Sequence, residues 1–315
     1  MTIVIVGPGA MGSLFAAFLK KSKPKDTAVW LLDKDEKRSQ KLNRSGITVE
    51  YSGGSFTADV QVTAQPKDIG AADIVFICVK SYDTKAAVEH ARPLIGADTA
   101  VVTLQNGVGN IEAIAEMIGE GNVVGGSTNI GATLIEPGKV KLAGKGETVI
   151  GKPDGKLSFH MRTIRELFNK AGLETRLSQD IKSILWSKLI INCGINALAA
   201  ILRLQSGRLL EHESSRSLMR EIVTEAVRIA KRKRIKLLYD DPLAKVEAVC
   251  EATSGNACSM LQDVLKAKRT EIDVINGVIV RFGQELGIAV PLNAAVVNII
   301  KTIEATYEQT YPDRR

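Results

Sequence analysis

Three polar residues interrupt the most apolar stretch of the chain at regular intervals. The segment SKLIINCGIN (187–196) contains Lys188, Asn192 and Asn196 at every fourth position. On a helix, residues i, i+4 and i+8 are spread over only about 80° around the axis, so the three side chains lie on one stripe. A protonated amine can polarise a ketone and donate a proton, and carboxamides can hold the substrate by hydrogen bonds. The stripe predicts a site with Lys188 as general acid; a Lys188 that extends to the surface or pairs with a carboxylate is the alternative.

A glycine-rich turn near the start of the chain has the pattern of a dinucleotide-binding loop. The segment IVIVGPGAMGSLFAAFL (3–19) places a GxGxxG motif between an apolar strand and a helix. The first glycine permits a tight turn, the second lets the backbone approach a pyrophosphate, and the third lets the helix pack on the strand. We expect a nicotinamide dinucleotide here, with a merely structural turn as the alternative. The expected cofactor-binding residues are Gly7, Pro8, Gly9, Ala10, Met11 and Gly12.

Charges of both signs follow the second predicted strand. Asp33 stands where an acidic residue usually binds the adenine ribose hydroxyls of NAD, and it would repel the 2′-phosphate of NADP. Lys34, Lys37 or Arg38 could instead attract that phosphate. We expect Asp33 and Lys34 to bind the cofactor, but the two signals conflict: NADH is possible because of Asp33, and NADPH because of its basic neighbours. Solvated charges at a strand end are the alternative.

Two further strand ends offer polar side chains to the same edge of a sheet. A strand predicted at 73–79 leads into Lys80, and one predicted at 101–105 leads into Asn106. Ligands of open α/β sheets bind beyond the carboxyl ends of the strands, so both residues are candidate ligand contacts. Ordinary turn residues are the alternative.

The segment GNACSMLQDVLKAKRTEIDVING (255–277) supplies Asn256, Ser259 and Glu271. Ser259 and Glu271 would lie about 120° apart on one continuous helix, so they converge only if the helix breaks between them. Thr270 and Asp273 predict a capping box that starts a new helix, with Glu271 in its first turn. A carboxylate that merely complements the helix dipole is the alternative for Glu271.

The elements that must position these residues change character once along the chain. Up to about residue 177, β-rich runs alternate with helical patterns at 10–22, 35–45, 82–95 and 110–119, as in βαβ units. A hairpin is predicted at 132–144 and a further strand at 147–152. Helices are then predicted at 180–204, 213–234, 241–251, 256–267, 271–286 and 293–308. The sequence predicts an α/β protein with a Rossmann-type doubly wound parallel sheet (1–178) followed by an all-helical substrate domain (179–315).

Composition narrows the class of protein. The chain has 315 residues, 45% hydrophobic and 24% charged, which is typical of a globular protein with two cores. Its four cysteines form no CxxC pair and only three histidines are present, so we expect reduced thiols, no metal site and a cytoplasmic location. The N-terminus does not resemble a signal peptide.

Two segments could indicate a membrane or a nucleic acid as a partner. The run at 184–202 is long enough to span a membrane, but Lys188 and two asparagines would be costly in lipid, so we expect a core helix. The basic run KRKRIK (231–236) could mark a cofactor-sensing protein that binds nucleic acid. Cations also complement the C-terminal end of a predicted helix, so we expect no nucleic acid partner.

Taken in order, the motifs resemble those of the ketopantoate reductase (2-dehydropantoate 2-reductase) family over nearly the whole chain. They are GxGxxG at 7–12, VK at 79–80, LQNGVGN at 104–110, WSKLIINCGIN at 186–196, NACSMLQD at 256–263 and RTEIDVING at 269–277. The resemblance implies reduction of the 2-ketone of ketopantoate by NADPH to D-pantoate, a step toward pantothenate and coenzyme A. It implies that Lys188 is the proton donor.

The resemblance also implies roles for the other residues. Asn192, Asn196, Asn256 and Ser259 would hold the substrate's hydroxyl and carboxylate. Asn106 and Lys80 would lie at the junction of nicotinamide and substrate, Glu271 would contact the reacting ends of both, and the backbone near Gly131 and Ala132 would line the cofactor cleft. A 2-oxo acid is thus the expected partner, and a homodimer is one possible assembly.

Two positions depart from the family pattern. Family members commonly carry Arg near the position of Asp33, and some carry Asn where this chain has Ser206. The first departure bears on the choice between NADPH and NADH. The second leaves room for another branched or aromatic 2-oxo acid.

Overall fold

A computed structural model describes residues 1–22 and 25–309 of the chain. The chain divides into two compact units. The first, here called the sheet unit, contains residues 1–105 and 110–181. The second, the helical unit, contains the turn Asn106–Gly109 and the chain from Lys182 onward.

The sheet unit is built on parallel strands, as the sequence predicts. Its strands in chain order are β1 (Thr2–Val6), β2 (Ala28–Leu32), β3 (Ile47–Tyr51), β4 (Gly54–Ala58), β5 (Gln61–Thr63), β6 (Ile74–Ile77), β7 (Ala100–Thr103), β8 (Val123–Thr128), β9 (Gly131–Glu136), β10 (Lys139–Gly144), β11 (Thr148–Gly151) and β12 (Thr175–Leu177). Within the described residues, one eight-stranded sheet has the order β12-β11-β8-β7-β6-β1-β2-β5. The six strands from β8 to β5 are mutually parallel and follow the doubly wound order 3-2-1-4-5-6.

Helices cover this sheet, and their bounds are α1 (Ala10–Lys21), α2 (Glu36–Ser45), α3 (Thr84–Ala91), α4 (Asn110–Ile118) and α5 (Phe159–Lys170). Apolar side chains from the two faces of the sheet form separate cores. Strands β1 and β6 are almost wholly buried because both faces are covered. Chain order reverses between β1 and β6, which is where open α/β sheets bind ligands.

A smaller sheet is the part of this unit that the sequence predicts least well. The hairpin predicted at 132–144 is present as β9 and β10, which turn at Pro137 and Gly138. It does not stand alone, because β10 pairs with β3, and β3 pairs with β4, in a sheet of order β4-β3-β10-β9. The sequence patterns do not predict the strands β3 and β4 or the helix α5. The pairing of β3 with β10 joins segments about ninety residues apart, which local patterns do not reveal.

The helical unit is all-helical, in agreement with the sequence. Its helices are α6 (Ile181–Leu202), α7 (Glu213–Arg232), α8 (Pro242–Ala252), α9 (Ser259–Leu265), α10 (Asn276–Leu286) and α11 (Pro291–Ala305). Apolar side chains of α6, among them Trp186, Ile190 and Leu198, pack into a core shared with α7, α10 and α11. By length and composition α6 could cross a membrane, yet 72% of its apolar window is buried inside the protein.

A buried carboxylate ties the helices of this unit together. Glu225 on α7 accepts the backbone N–H groups of Leu292 and Asn293 at 3.0 and 2.9 Å, which caps the start of α11. The amide of Asn276, the first residue of α10, donates to Asn293 Oδ1 and to the carbonyl of Cys193 on α6. Buried polar groups of this kind fix the relative register of the helices.

The capping box predicted from Thr270 and Asp273 is wrong. The Thr270 hydroxyl accepts the N–H of Ile272 at 3.2 Å, and the Asp273 carboxylate pairs with Lys301 and Arg269. The predicted helix break does occur, since α9 ends at Leu265 and α10 begins at Asn276. Residues 272–274 form a single 3-10 turn, and Glu271 directly precedes it.

Candidate active site

The glycine-rich turn lies between β1 and α1, and its three glycines are required for different reasons. Gly7 has φ +100°, a backbone conformation that L side chains rarely adopt. A Cβ on Gly12 would lie 2.0 Å from the carbonyl oxygen of Gly7, so only glycine allows α1 to approach the strand this closely. A Cβ on Gly9 would meet only Cys78 O, at 3.9 Å, among the described residues. The space over Gly9 is therefore open to a ligand.

The N-terminus of α1 suits an anion. Gly9 is the N-cap residue and has no side chain with which to cap the helix. Ala10, Met11 and Gly12 in the first turn carry no carboxylate, so their N–H groups and the helix dipole favour a negatively charged ligand. These features fit the pyrophosphate of a dinucleotide.

The end of β2 presents an ion pair rather than a free carboxylate. Asp33 is 2% exposed and accepts both Nε and Nη2 of Arg38, as well as the backbone N–H of Lys34 at 2.7 Å. The pKa of Arg38 is raised by its hydrogen bond with Asp33 and by the charge of that carboxylate. Arg38 remains partly exposed and Lys34 is exposed. Asp33 thus holds a guanidinium at the strand end, beside a second cation.

The side chain of Gln105, which the sequence predictions do not include, holds the backbone that follows β6. Gln105 donates to the carbonyl of Val79 at 2.8 Å and to the hydroxyl of Thr84 at 2.9 Å, and it accepts from Thr103. Lys80, which is half-buried, follows Val79 and begins a short turn. Gln105 therefore fixes the backbone that carries Lys80. Its position within the motif LQNGVGN is the signal that could have revealed it.

Ala132 lies in β9 of the smaller sheet, opposite Leu142 of β10. It is half-buried and packs against the apolar core on one face of the large sheet.

In the helical unit, the turn Asn106–Gly109 packs against the segment that carries Glu271. Gly107 has φ +84°, and a Cβ there would lie 2.4 Å from the carbonyl oxygen of Val274. The N–H of Val108 donates to the same carbonyl at 3.1 Å. Only glycine fits at this close approach, which places Asn106 at one end of a fixed turn.

The polar stripe on α6 is present and only partly exposed. Lys188 and Asn192 are half-buried, and Asn196 is 5% exposed. Burial lowers the pKa of Lys188 to about 8, and the negative charge of Glu271 partly offsets this effect. Glu271 is itself 7% exposed. The structure thus places an amine whose pKa is lowered by burial beside a buried carboxylate.

A second group of predicted residues lies beside the end of the stripe. The thiol of Cys258 donates to the carbonyl of Asn196 at 3.7 Å and connects α6 with the start of α9, where Ser259 is exposed. The backbone N–H of Ser206 donates to the carbonyl of Asn256 at 3.1 Å. Buried Ser206 therefore supports exposed Asn256. Ser206, where some family members carry Asn, is thus in contact with a predicted substrate-binding residue.

Comparison with known proteins identifies the family. Residues 3–155 match the family described as Ketopantoate reductase PanE/ApbA, and residues 180–304 match its C-terminal counterpart. A 2-dehydropantoate 2-reductase from Pyrococcus horikoshii is 35% identical over 97% of this chain and 98% of its own length. This chain belongs to the ketopantoate reductase family.

Other members of the family are similarly close. A 2-dehydropantoate 2-reductase from Archaeoglobus fulgidus is 34% identical over 96% of this chain and 98% of its own length. The crystal structure of a PanE/ApbA family ketopantoate reductase from Ralstonia eutropha has a TM-score of 0.89, 30% identity, and coverage of 98% of this chain and 100% of its own.

A solved structure with a different name is equally similar in fold. A ternary complex of D-mandelate dehydrogenase with NADH and anilino(oxo)acetate has a TM-score of 0.89 and 27% identity, and covers 98% of this chain and 100% of its own. Nicotinamide dinucleotide binding is therefore supported for this member of the ketopantoate reductase family, which is an oxidoreductase.

The glycine motif provides a matched pair of substitutions. Gly12→Ala should lower the free energy of unfolding by about 3 kcal/mol, because the new methyl group collides with the Gly7 carbonyl. Gly9→Ala should change stability by less than about 1 kcal/mol, since its φ of −75° suits alanine. It should nevertheless raise the Kd for a nicotinamide dinucleotide roughly tenfold or more, because the methyl group would fill the space expected for the pyrophosphate.

Urea unfolding and titration of NADPH fluorescence would measure the two effects separately. Wild-type NADPH affinity in Gly9→Ala would contradict the assignment of the open space over Gly9 to the cofactor.

Proposed function

We propose that this protein reduces the 2-ketone of 2-dehydropantoate (ketopantoate) to D-pantoate, with a nicotinamide dinucleotide as hydride donor. The observation that carries the proposal is the position of the Lys188 amine, which lies beside Glu271 and shares a helical stripe with two carboxamides. Burial lowers the pKa of this amine to about 8. The names and nearly full-length similarity of the relatives support ketopantoate as the substrate.

Lys188 supplies the proton of the reaction. A nicotinamide dinucleotide, when bound, would supply the hydride that C2 of the ketone accepts, and the carbonyl oxygen would then require a proton. A protonated Lys188 polarises that oxygen and donates the proton, which leaves a neutral amine to be reprotonated from solvent. Glu271 raises the fraction of protonated amine at neutral pH because its negative charge opposes the effect of burial.

The remaining predicted residues bind and orient. We assign Asn192 and Asn196 on α6, with Asn256 and Ser259, to the substrate's hydroxyl and carboxylate, because carboxamides and hydroxyls can donate to both. We assign Glu271 and Asn106 to the reacting ends of substrate and cofactor, and Lys80 and the backbone at Ala132 to the cofactor. The contacts that fix the Asn106 turn and the Lys80 backbone support these roles.

NADPH is the proposed cofactor, with NADH as a poorer donor. Both oxygens of Asp33 are engaged by Arg38 and backbone N–H groups, so its charge is largely neutralised. The partly exposed Arg38 and exposed Lys34 offer positive charge and N–H donors that suit a 2′-phosphate.

A second candidate is reduction of another branched or aromatic 2-oxo acid. Ser206 favours it, because this buried serine bonds to the Asn256 carbonyl and lacks the carboxamide that some family members have at this position. The similarity to a D-mandelate dehydrogenase also favours an aromatic substrate. We propose a cytoplasmic location with no nucleic acid or membrane partner. The burial of α6 supports the last point, since a buried core helix does not span a membrane. A homodimer stays a prediction.

The function is tested by the loss of nicotinamide absorbance with ketopantoate, in parallel with a panel of branched and aromatic 2-oxo acids. We expect the highest kcat/KM for ketopantoate. A higher value for another acid would replace the first candidate with the second, and tight NADPH binding with no oxidation by any acid would overturn both.

The pKa of Lys188 predicts a pH dependence. Reduction needs the protonated amine, so kcat/KM should be constant below pH 8 and fall as pH rises through about 8. Glu271→Gln should move this fall to lower pH, because the charge that raises the pKa of Lys188 is removed. A pH profile in Glu271→Gln identical to that of the wild type would contradict the pairing of Glu271 with Lys188.

Lys188→Ala should reduce kcat by about a hundredfold or more while the Kd for NADPH changes little.

Cofactor choice is tested at Arg38. Arg38→Ala should raise the KM for NADPH about tenfold and leave that for NADH nearly unchanged, because only the 2′-phosphate needs the guanidinium. Lys41→Ala, on the same helix and exposed, is the control. Equal changes for both cofactors in Arg38→Ala would show that Arg38 only stabilises Asp33.

A further inference from the structure

The end of the helix α11 holds the segment that carries Glu271. The backbone N–H of Thr270 donates to Glu304 Oε1 at 2.7 Å, the Tyr307 hydroxyl donates to the carbonyl of Lys268 at 2.8 Å, and Lys301 Nζ lies 2.6 Å from Asp273 Oδ1. We call Lys301, Glu304 and Tyr307 the C-terminal clamp.

The clamped segment has little regular structure of its own. Between α9 and α10, residues 266–275 contain only one 3-10 turn, at 272–274, within the described part of the chain. Thr270 and Glu271 are nevertheless 2% and 7% exposed. Two residues of an irregular segment can be this buried only if other parts of the chain cover them, so contacts from outside the segment contribute to their positions.

The three clamp contacts differ in strength. Lys301 and Asp273 are both about half exposed, so their ion pair is weakened by solvent. The Tyr307 hydrogen bond joins neutral groups at an exposed site. The bond from Thr270 to Glu304 is partly buried and has a charged acceptor, which makes such bonds shorter and stronger. It also acts on the residue adjacent to Glu271.

Glu304 occupies a position in α11 that is unfavourable for a carboxylate. It lies in the last turn of the helix, where the helix dipole disfavours a carboxylate. A carboxylate there does not help to stabilise α11, whereas it does satisfy a backbone donor in the segment that needs to be fixed.

We propose that Glu304 is a positioning residue for the reaction: by holding the Thr270 N–H, it keeps the Glu271 carboxylate beside Lys188. This inference rests on the proposed roles of Glu271 and Lys188. The other end of the segment has a separate contact, since the N–H of Val108 donates to the Val274 carbonyl at 3.1 Å, and this contact does not involve Glu304. Charged groups near the segment include Arg269, Glu271 and Asp273 on the segment itself, Lys301 and Glu304 on α11, Lys188 on α6, which feels the charge of Glu271, and Asp263 on α9, which acts on Tyr307.

The test uses the titration of Lys188 in the full chain, followed by carbon NMR of the lysine side chains with the Lys188→Arg spectrum as assignment. This measurement needs neither substrate nor turnover. Glu304→Leu should lower the pKa of Lys188, because the displaced Glu271 carboxylate no longer opposes the effect of burial. Glu304→Gln keeps a hydrogen-bond acceptor and should stay close to the wild type. Glu308→Gln, which removes the same charge one turn further on at an exposed position, should have no effect.

Turnover gives an independent readout. In Glu304→Leu, kcat should fall roughly tenfold to a hundredfold, as for a small misplacement of a reacting group, with the Kd for NADPH unchanged. In a Glu271→Gln background, Glu304→Leu should cause no further loss, because the residue acts through Glu271.

Three results would overturn the inference. They are a wild-type Lys188 titration in Glu304→Leu, an equal shift in Glu304→Gln and Glu304→Leu, or a full further loss of kcat in the Glu271→Gln background. If Glu304→Leu does not fold, Glu304→Asp shortens the side chain with the charge retained and should shift the titration in the same direction; an unchanged titration there would also overturn it. A wild-type protein that does not reduce ketopantoate would overturn the proposed function instead, and the titration would still decide the role of Glu304.

Discussion

The placement of an ammonium group on the central apolar helix is the constraint on which the helical unit depends. Removing a charged amine from water disfavours its protonated form, which is why burial lowers the pKa of Lys188 to about 8. The negative charge of the Glu271 carboxylate raises this pKa and so partly offsets the effect of burial. A carboxylate that is 7% exposed must in turn be held in place, because it would otherwise turn toward solvent. The loop that carries it is held by hydrogen bonds from the end of α11 and from the Asn106 turn.

The sheet unit meets a different requirement, which is to bind a long anionic ligand without burying a large positive charge. Parallel strands place the ends of β1, β2 and β6 along one edge, and backbone N–H groups at the start of α1 supply the donors. Positive charge is added by Arg38, which Asp33 holds. The same carboxylate that suggests NAD in the sequence therefore acts, in the structure, as the support of a cation.

Local sequence patterns predict the features that arise from neighbouring residues. The GxGxxG motif lies in a strand-turn-helix unit, and the four-residue spacing of Lys188, Asn192 and Asn196 already places them on one helical stripe. The all-helical character of the second half is likewise readable from periodicity. The capping box at Thr270 failed because the Thr270 hydroxyl bonds to Ile272 and Asp273 is engaged by Lys301, a residue of a different helix. The strands β3 and β4 were missed because β3 pairs with the distant β10.

The sequence by itself determined the fold class, the glycine-rich turn and the polar stripe on α6, because each depends on residues close together along the chain. Only the tertiary structure decided which charges are neutralised. It paired Asp33 with Arg38, brought Glu271 into the field of Lys188, and bound Thr270 to Glu304. Burial and electrostatic interactions depend on distance in space, which the chain fixes only when it packs, so the chemistry of these groups could not be read from the order of residues alone.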